Sequence, residues 1–193
     1  MRIEACADLK GYFRERIDAA LSRRRLVARP ETADYVAGVL VHCGLSPTES
    51  LLDQPLVVAL DQALASAAPL RLHRLQMTGD AALCLAGIFA PHVEHTQGTL
   101  ALYVRLGAVA YQKAAEVARA VDPAPAPTLE ELSEAFPRFV DVLHEVAEAS
   151  ALGAVTRDAV RLYDRVKNAD SARAAEEMAR MGIFPAPGGQ GAS

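Results

Sequence analysis

With 193 residues the chain can bury roughly 70% of its unfolded surface in one domain, so no disulfide or metal staple is required. Apolar residues make up 51% of it, yet aromatics reach only 5% and Trp is absent, which points to helices packed through small side chains. A formal charge of −4 excludes a molecule drawn as a whole to nucleic acid or anionic lipid, and no apolar run approaches the length of a membrane span.

Charge is unevenly spread. Residues 1–30 hold eight Lys/Arg against four Asp/Glu, a net of +4 that leaves −8 for the remainder. From about Ala5 to Val27 the residues Leu9, Tyr12, Phe13, Ile17, Ala20 and Leu21 recur at helical spacing and predict an amphipathic opening helix. Arg23, Arg24 and Arg25 form a basic run at its C-terminal end, where cations complement the helix dipole. With Arg14 they are also the candidate surface for nucleic acid or an acidic partner, but no interleaving of Lys with aromatics extends the patch, so nucleic acid is the least favoured class of function. The opening MRIEACADLKGYFRER is charged and lacks the apolar centre of a secretory signal, which makes the cytoplasm the expected address. Three cysteines, Cys6, Cys43 and Cys84, are odd in number and have no metal-like spacing, which supports a reducing compartment.

Pro30 and Glu31 open a second helix, with Ala33, Val36, Ala37, Leu40 and Val41 inward, ending near Gly44. Residues 55–67 supply a third, and Pro69 marks the next break. Leu72, Leu75, Gly79, Leu83, Ala86 and Ala90 continue one stripe, and the spacing leaves open whether Thr78-Gly79 kinks one helix or divides two. The run from Ala81 to Ala90 holds ten residues without a charge and is predicted to be buried on every side. A turn then leads to a helix with Leu100, Tyr103, Val104, Gly107, Ala108 and Tyr111 on one face and Arg105, Gln112, Glu116 and Arg119 on the other. Residues 79–111 thus read as a helical hairpin at the buried centre of the fold.

Prolines at 123, 125 and 127 predict a stiff, extended surface spacer over 122–127. Thr128 and Glu131 match a capping box that starts a helix reaching about Ser150, with Pro137 kinking or restarting it. Val160, Tyr163 and Val166 belong to a last long helix, Gly182 stops a short one, and 185–193 reads as a disordered tail. No β-branched alternation predicts a strand. The expected fold class is all-α: a single domain over 1–184, an irregular multi-helix bundle of about seven or eight helices around the central buried hairpin.

Asp80 stands immediately before the uncharged run and, on a continuous helix, shares a side with Cys84 and Gly87. A carboxylate there must be hydrogen-bonded, paired or neutralised. Tyr103 and Tyr111 lie on one face of the facing helix, and Gly107 between them lets another segment come close. Two readings follow. Either a tyrosine hydroxyl satisfies an Asp80 that pins a helix, the favoured one, or Asp80, Cys84, Tyr103, Gly107 and Tyr111 line a ligand pocket. Metal sites have less support. His92 and His95 flank Val93-Glu94 in the predicted turn, and Asp141 with His144 gives one carboxylate-x-x-His unit where a di-metal bundle needs two, so no cofactor is implied. The sequence carries no G-x-S-x-G, P-loop, dinucleotide or H-E-x-x-H signature, which removes the enzymes that have local motifs.

GDAALCLAGIF, followed by Tyr103-x-x-x-Gly107-x-x-x-Tyr111, and the C-terminal LYDRVKNADSARAAEEMARMGIFP resemble a group of uncharacterised all-helical proteins from myxobacteria and related proteobacteria. The recurring marks of that group fall here on Gly79, Asp80, Tyr103, Tyr111, Leu162, Tyr163, Gly182, Ile183 and Pro185. The resemblance covers about half the chain and implies a bacterial cytoplasmic helical domain without bringing an activity or a cofactor. The expected function is a non-catalytic helical module that contacts a protein partner, self-associates or binds a small ligand. The alternative is a helical enzyme or metal-binding bundle using Asp80, Tyr103 and Tyr111 or Asp141 and His144.

Overall fold

The computed structural model describes the backbone over residues 2–45, 54–89 and 97–150, with side chains over 9–43, 54–88 and 100–150. Those segments contain seven α-helices: α1 (Arg2–Arg24), α2 (Pro30–Leu45), α3 (Leu56–Ala65), α4 (Ala68–Cys84), α5 (Gln97–Val121), α6 (Ala126–Glu134) and α7 (Phe136–Glu148). α4 runs on into a π-helical turn at Leu85–Phe89. No strand occurs among the described residues, and the protein is an all-α multi-helix bundle, as its 3.6-residue periodicity predicts. The turn with His92 and His95, the helices expected beyond Ser150 and the tail lie outside the described residues. No helix among the described residues is long and apolar enough to cross a membrane.

α4 and α5 form the most extensive helix pairing, so the hairpin is the centre of the bundle. Leu83, Cys84, Ala86 and Ile88 are buried, while Ala81 at the head of the uncharged run reaches a surface cleft. α4 passes through Thr78-Gly79 unbroken: the Thr78 hydroxyl donates back to the Arg74 carbonyl at 2.8 Å and the helix continues. Gly107 is needed for close packing, but the segment that comes close is a side chain. A Cβ there would run into the Phe136 ring of α7 and approach the Ala82 Cβ to 2.9 Å. At Gly87 an added Cβ would lie 2.6 Å from the Leu143 Cβ, so the π-helical turn rests directly on α7.

The stretch 122–127 is a tight turn rather than an extended spacer. Asp122 Oδ1 accepts from the Ala124 N–H at 3.3 Å, the Ala126 N–H donates to the Pro123 carbonyl at 3.2 Å, and Pro125 has helical angles of φ −79° and ψ −10°. The fixed φ of proline suits the entry to a helix as well as polyproline backbone, and burial of Ala126, Leu129 and Leu132 favours the helix. α6 therefore begins at Ala126 and folds back onto α5, leaving Thr128 inside it rather than capping it. Glu131, the residue expected to complete the box, accepts instead from the Arg29 N–H at 3.1 Å and from the Thr32 hydroxyl. It caps the first turn of α2 from across the bundle. Pro137 restarts the chain as predicted, with α6 ending at Glu134 and α7 opening at Phe136.

Cys43 on α2 is joined to Cys84 at the end of α4 by a disulfide, with Cα atoms 6.5 Å apart and a sequence separation of 41. Nothing in their spacing announces the pair. It also removes the odd cysteine count as support for a reducing compartment.

Candidate functional site

The polar centre of this bundle lies where α2, α4 and α5 meet. Thr32, Tyr35, Val36, Val39, Leu40 and Cys43 recur every three or four residues on α2, so Tyr35 belongs to an inward stripe and carries a polar tip. Its hydroxyl donates to Asp80 Oδ1 at 2.8 Å. Tyr111, fully buried on α5, donates to the same oxygen at 2.7 Å. The two rings pack edge to face with centroids 6.3 Å apart, and Phe136 backs Tyr111 at 5.9 Å. Gly79 makes this arrangement fit. A Cβ at that position would lie 2.6 Å from Tyr111 Cε1, so the glycine is the slot that admits the ring and the next residue receives its hydroxyl.

Burial pushes the Asp80 carboxyl up to about 6, while hydrogen bonds from Tyr111 and Tyr35 and the fields of His42 and His73 pull it down. Burial, reinforced by the Asp80 charge, raises both phenols above their ordinary range and keeps them protonated donors. Asp80 Oδ2 accepts no hydrogen bond among the described residues. Asp80 as a residue is half-buried and so keeps contact with solvent.

That contact is through a cleft of about 420 Å³ between α1, α2 and α4. Lys10, Glu31, Asp34, Tyr35, His42 and Asp80 supply its polar lining, and Gly38 and Val39 its wall. Lys10 Nζ sits 2.6 Å from Asp34 Oδ2 and holds that carboxyl below its usual range, so the one lysine of the lining is already paired. Gly38 has no steric reason to be glycine: an added Cβ meets nothing within 4 Å. Glycine inside a helix costs about 1 kcal/mol relative to alanine, and its effect here is to leave the wall of the cleft clear.

Of the residues expected around a pocket, Asp80 and Tyr111 meet directly. Tyr103 lies eight residues earlier on α5, about 12 Å back along the helix axis, too far for both phenols to share one carboxylate. It packs against the edge of the core, and Tyr35 takes the place expected of it. Cys84 is buried in its bond to Cys43 and Gly107 lies under Phe136, so neither lines the cleft.

The metal and nucleic-acid candidates are occupied by one another. Arg24 Nη1 is 3.3 Å from Asp141 Oδ2, Arg24 Nε is 2.9 Å from Glu145 Oε2, and Arg23 pairs with the other oxygen of Glu145. His144 Nε2 faces Glu148 at 3.5 Å. Guanidinium groups thus stand where a metal ion would need ligands, and no group of three or more metal-ligating side chains occurs among the described residues. Arg14 contacts Asp18 at 3.2 Å and Asp34 at 3.5 Å. These arginines tie α1 to α7 and α2. Arg25 ends α1 with a φ of 54°, the Leu26 N–H reaching the Leu21 carbonyl at 3.0 Å and its own N–H reaching that of Ser22 at 3.2 Å.

Sequence reasoning missed Tyr35, Gly38 and His42. The available signal was the inward stripe of α2, which places a phenol among aliphatic residues, but periodicity names no partner for it. No protein-family model matches this chain, and neither a curated protein nor a solved structure shows significant similarity to it.

Proposed function

We propose that the protein is a non-catalytic helical module that binds a small ligand in the cleft over Asp80, and that it is a bacterial cytoplasmic protein of the helical group it resembles. In a cytoplasm the Cys43–Cys84 pair would be kept largely as thiols. The observation that carries the ligand-binding reading is the division of labour within one carboxylate. Oδ1 is engaged by two phenols, while Oδ2 takes no hydrogen bond from a described residue and Asp80 lines a cleft of a size that small-molecule sites have. A protein contact or self-association accompanies this proposal, supported by Val57, Val58 and Leu64 on α3 and Leu70 on α4, which are exposed.

A second reading draws on Asp80 alone. A carboxyl near 6 is suited to exchanging a proton with a bound substrate, and His42 lines the same cleft. Turnover of a bound compound, absent from Asp80→Asn, would favour this second reading.

The primary test is a fragment screen read on the ring resonances of Tyr35 and Tyr111, repeated on Gly38→Leu, which fills the cleft from a position where an added Cβ meets nothing. Wild-type protein is expected to give saturable shifts that Gly38→Leu loses while its melting temperature stays at or above wild type. Equal binding to both proteins would place the ligand elsewhere.

A further inference from the structure

We infer that the cleft takes a small organic cation, an alkylammonium or guanidinium head that donates hydrogen bonds to Asp80 Oδ2. This rests on the cleft being a ligand site and names the chemistry of what enters it.

The floor of the cleft accepts and does not donate. Each phenol has a single proton, and those of Tyr35 and Tyr111 both point at Oδ1, at 2.8 and 2.7 Å. What remains for a ligand is the free carboxylate oxygen and the hydroxyl lone pairs. The formal charges of the lining are the carboxylates of Glu31, Asp34 and Asp80 against Lys10, and Lys10 is engaged with Asp34. His42 also lines the cleft and its field acts on Asp80, and the carboxylates outnumber the basic side chains of the lining by three to two. An anion would meet repulsion from a carboxylate in a poorly solvated site, whereas a nitrogen cation would replace water with a charge-assisted hydrogen bond.

A bare metal ion is a poorer fit, because no third ligating side chain stands with Asp80 and the phenols stay protonated. Gly38 and Val39 give the wall an apolar stretch on which a short alkyl chain can lie. Glu31, Tyr35 and Gly38 follow one another along α2 at spacings of four and three, so the cleft extends along that helix and a second nitrogen would travel toward Glu31.

The experiment titrates the whole chain with n-butylammonium, agmatine, n-butanol and butyrate, following the Tyr35 and Tyr111 ring signals. The two cations are expected to give saturable shifts, with affinity at least tenfold weaker in Asp80→Asn and abolished in Gly38→Leu. Affinity should also decline as pH is lowered through 6, where Asp80, which His42 and His73 face, takes up a proton. Saturable binding of butyrate or butanol with no response to either cation would overturn the cationic assignment and leave a ligand site in place. Silence of both rings to all four probes, in a wild type whose far-UV spectrum is helical, would overturn the assignment and the ligand site together.

Discussion

On the proposed ligand-binding reading, Asp80 unites two roles that sequence treats as alternatives, because each belongs to a different oxygen of one carboxylate. Oδ1 is the structural pin, engaged by both phenols, and Oδ2 takes no hydrogen bond from a described residue. Burial makes that charge costly. With an ordinary value of 3.8 and a folded value of about 6, the folded protein holds the proton more tightly than the unfolded chain between those limits. Stability from this group is therefore fully present below about pH 4 and is lost as pH rises through 6, by up to ~3 kcal/mol. Asp80→Asn keeps an acceptor for the phenols and removes the charge, so it should equal or exceed wild type at pH 7.5 and lose that advantage near pH 4. Asp80→Ala strands two buried hydroxyls and should cost ~1 to 3 kcal/mol at both. Urea unfolding of the three proteins at the two pH values checks this, and comparison with the Asn variant separates Asp80 from His42 and His73. An Asn variant weaker than wild type at pH 7.5 but equal to it at pH 4 would reverse the sign.

At the scale of elements, two glycines on facing helices make opposite statements. Gly79 on α4 adjoins the Tyr111 ring, with an added Cβ 2.6 to 2.9 Å from three ring atoms, and Phe136 behind the ring leaves it little room to retreat. Gly79→Ala should destabilise by ~1 to 3 kcal/mol through overpacking, despite a gain in helix propensity. Gly38→Ala on α2 meets nothing within 4 Å and should stabilise by up to ~1 kcal/mol. Melting temperatures of the pair test the reading; a shift of the same sign in both would refute it. The elements themselves were legible in sequence, since α2, α3, α5 and the break at Pro137 follow from apolar spacing and proline. The turn at 122–127 was misread because proline's φ serves both extended and helical backbone, and the choice was made by burial of Ala126 against the rest of the fold.

Across the whole molecule, the hairpin centre was readable because the uncharged run offers no charge to hold a face in water, and residues 82–88 of it are buried, whereas contacts between distant helices follow no period. Tyr35 with Asp80, Glu131 with the start of α2, and Cys43 with Cys84 all join elements tens of residues apart. The disulfide fastens α2 to α4 beside the site. Closing a loop of 41 residues stabilises by about 4 kcal/mol on the chain-entropy account. Protein oxidised in air and then unfolded should therefore alkylate at Cys6 alone and, after reduction, at all three cysteines, with reduction lowering the melting temperature; labelling of all three in the air-oxidised protein would contradict the bond. The convergence of α2, α4 and α5 on one carboxylate is the centre of the account, and the most direct test is a ¹³C titration of the Asp80 carboxyl in the full chain. The predicted result is an inflection near 6, tracked by the ring signals of both Tyr35 and Tyr111. An inflection near 4 with those rings unmoved would contradict it.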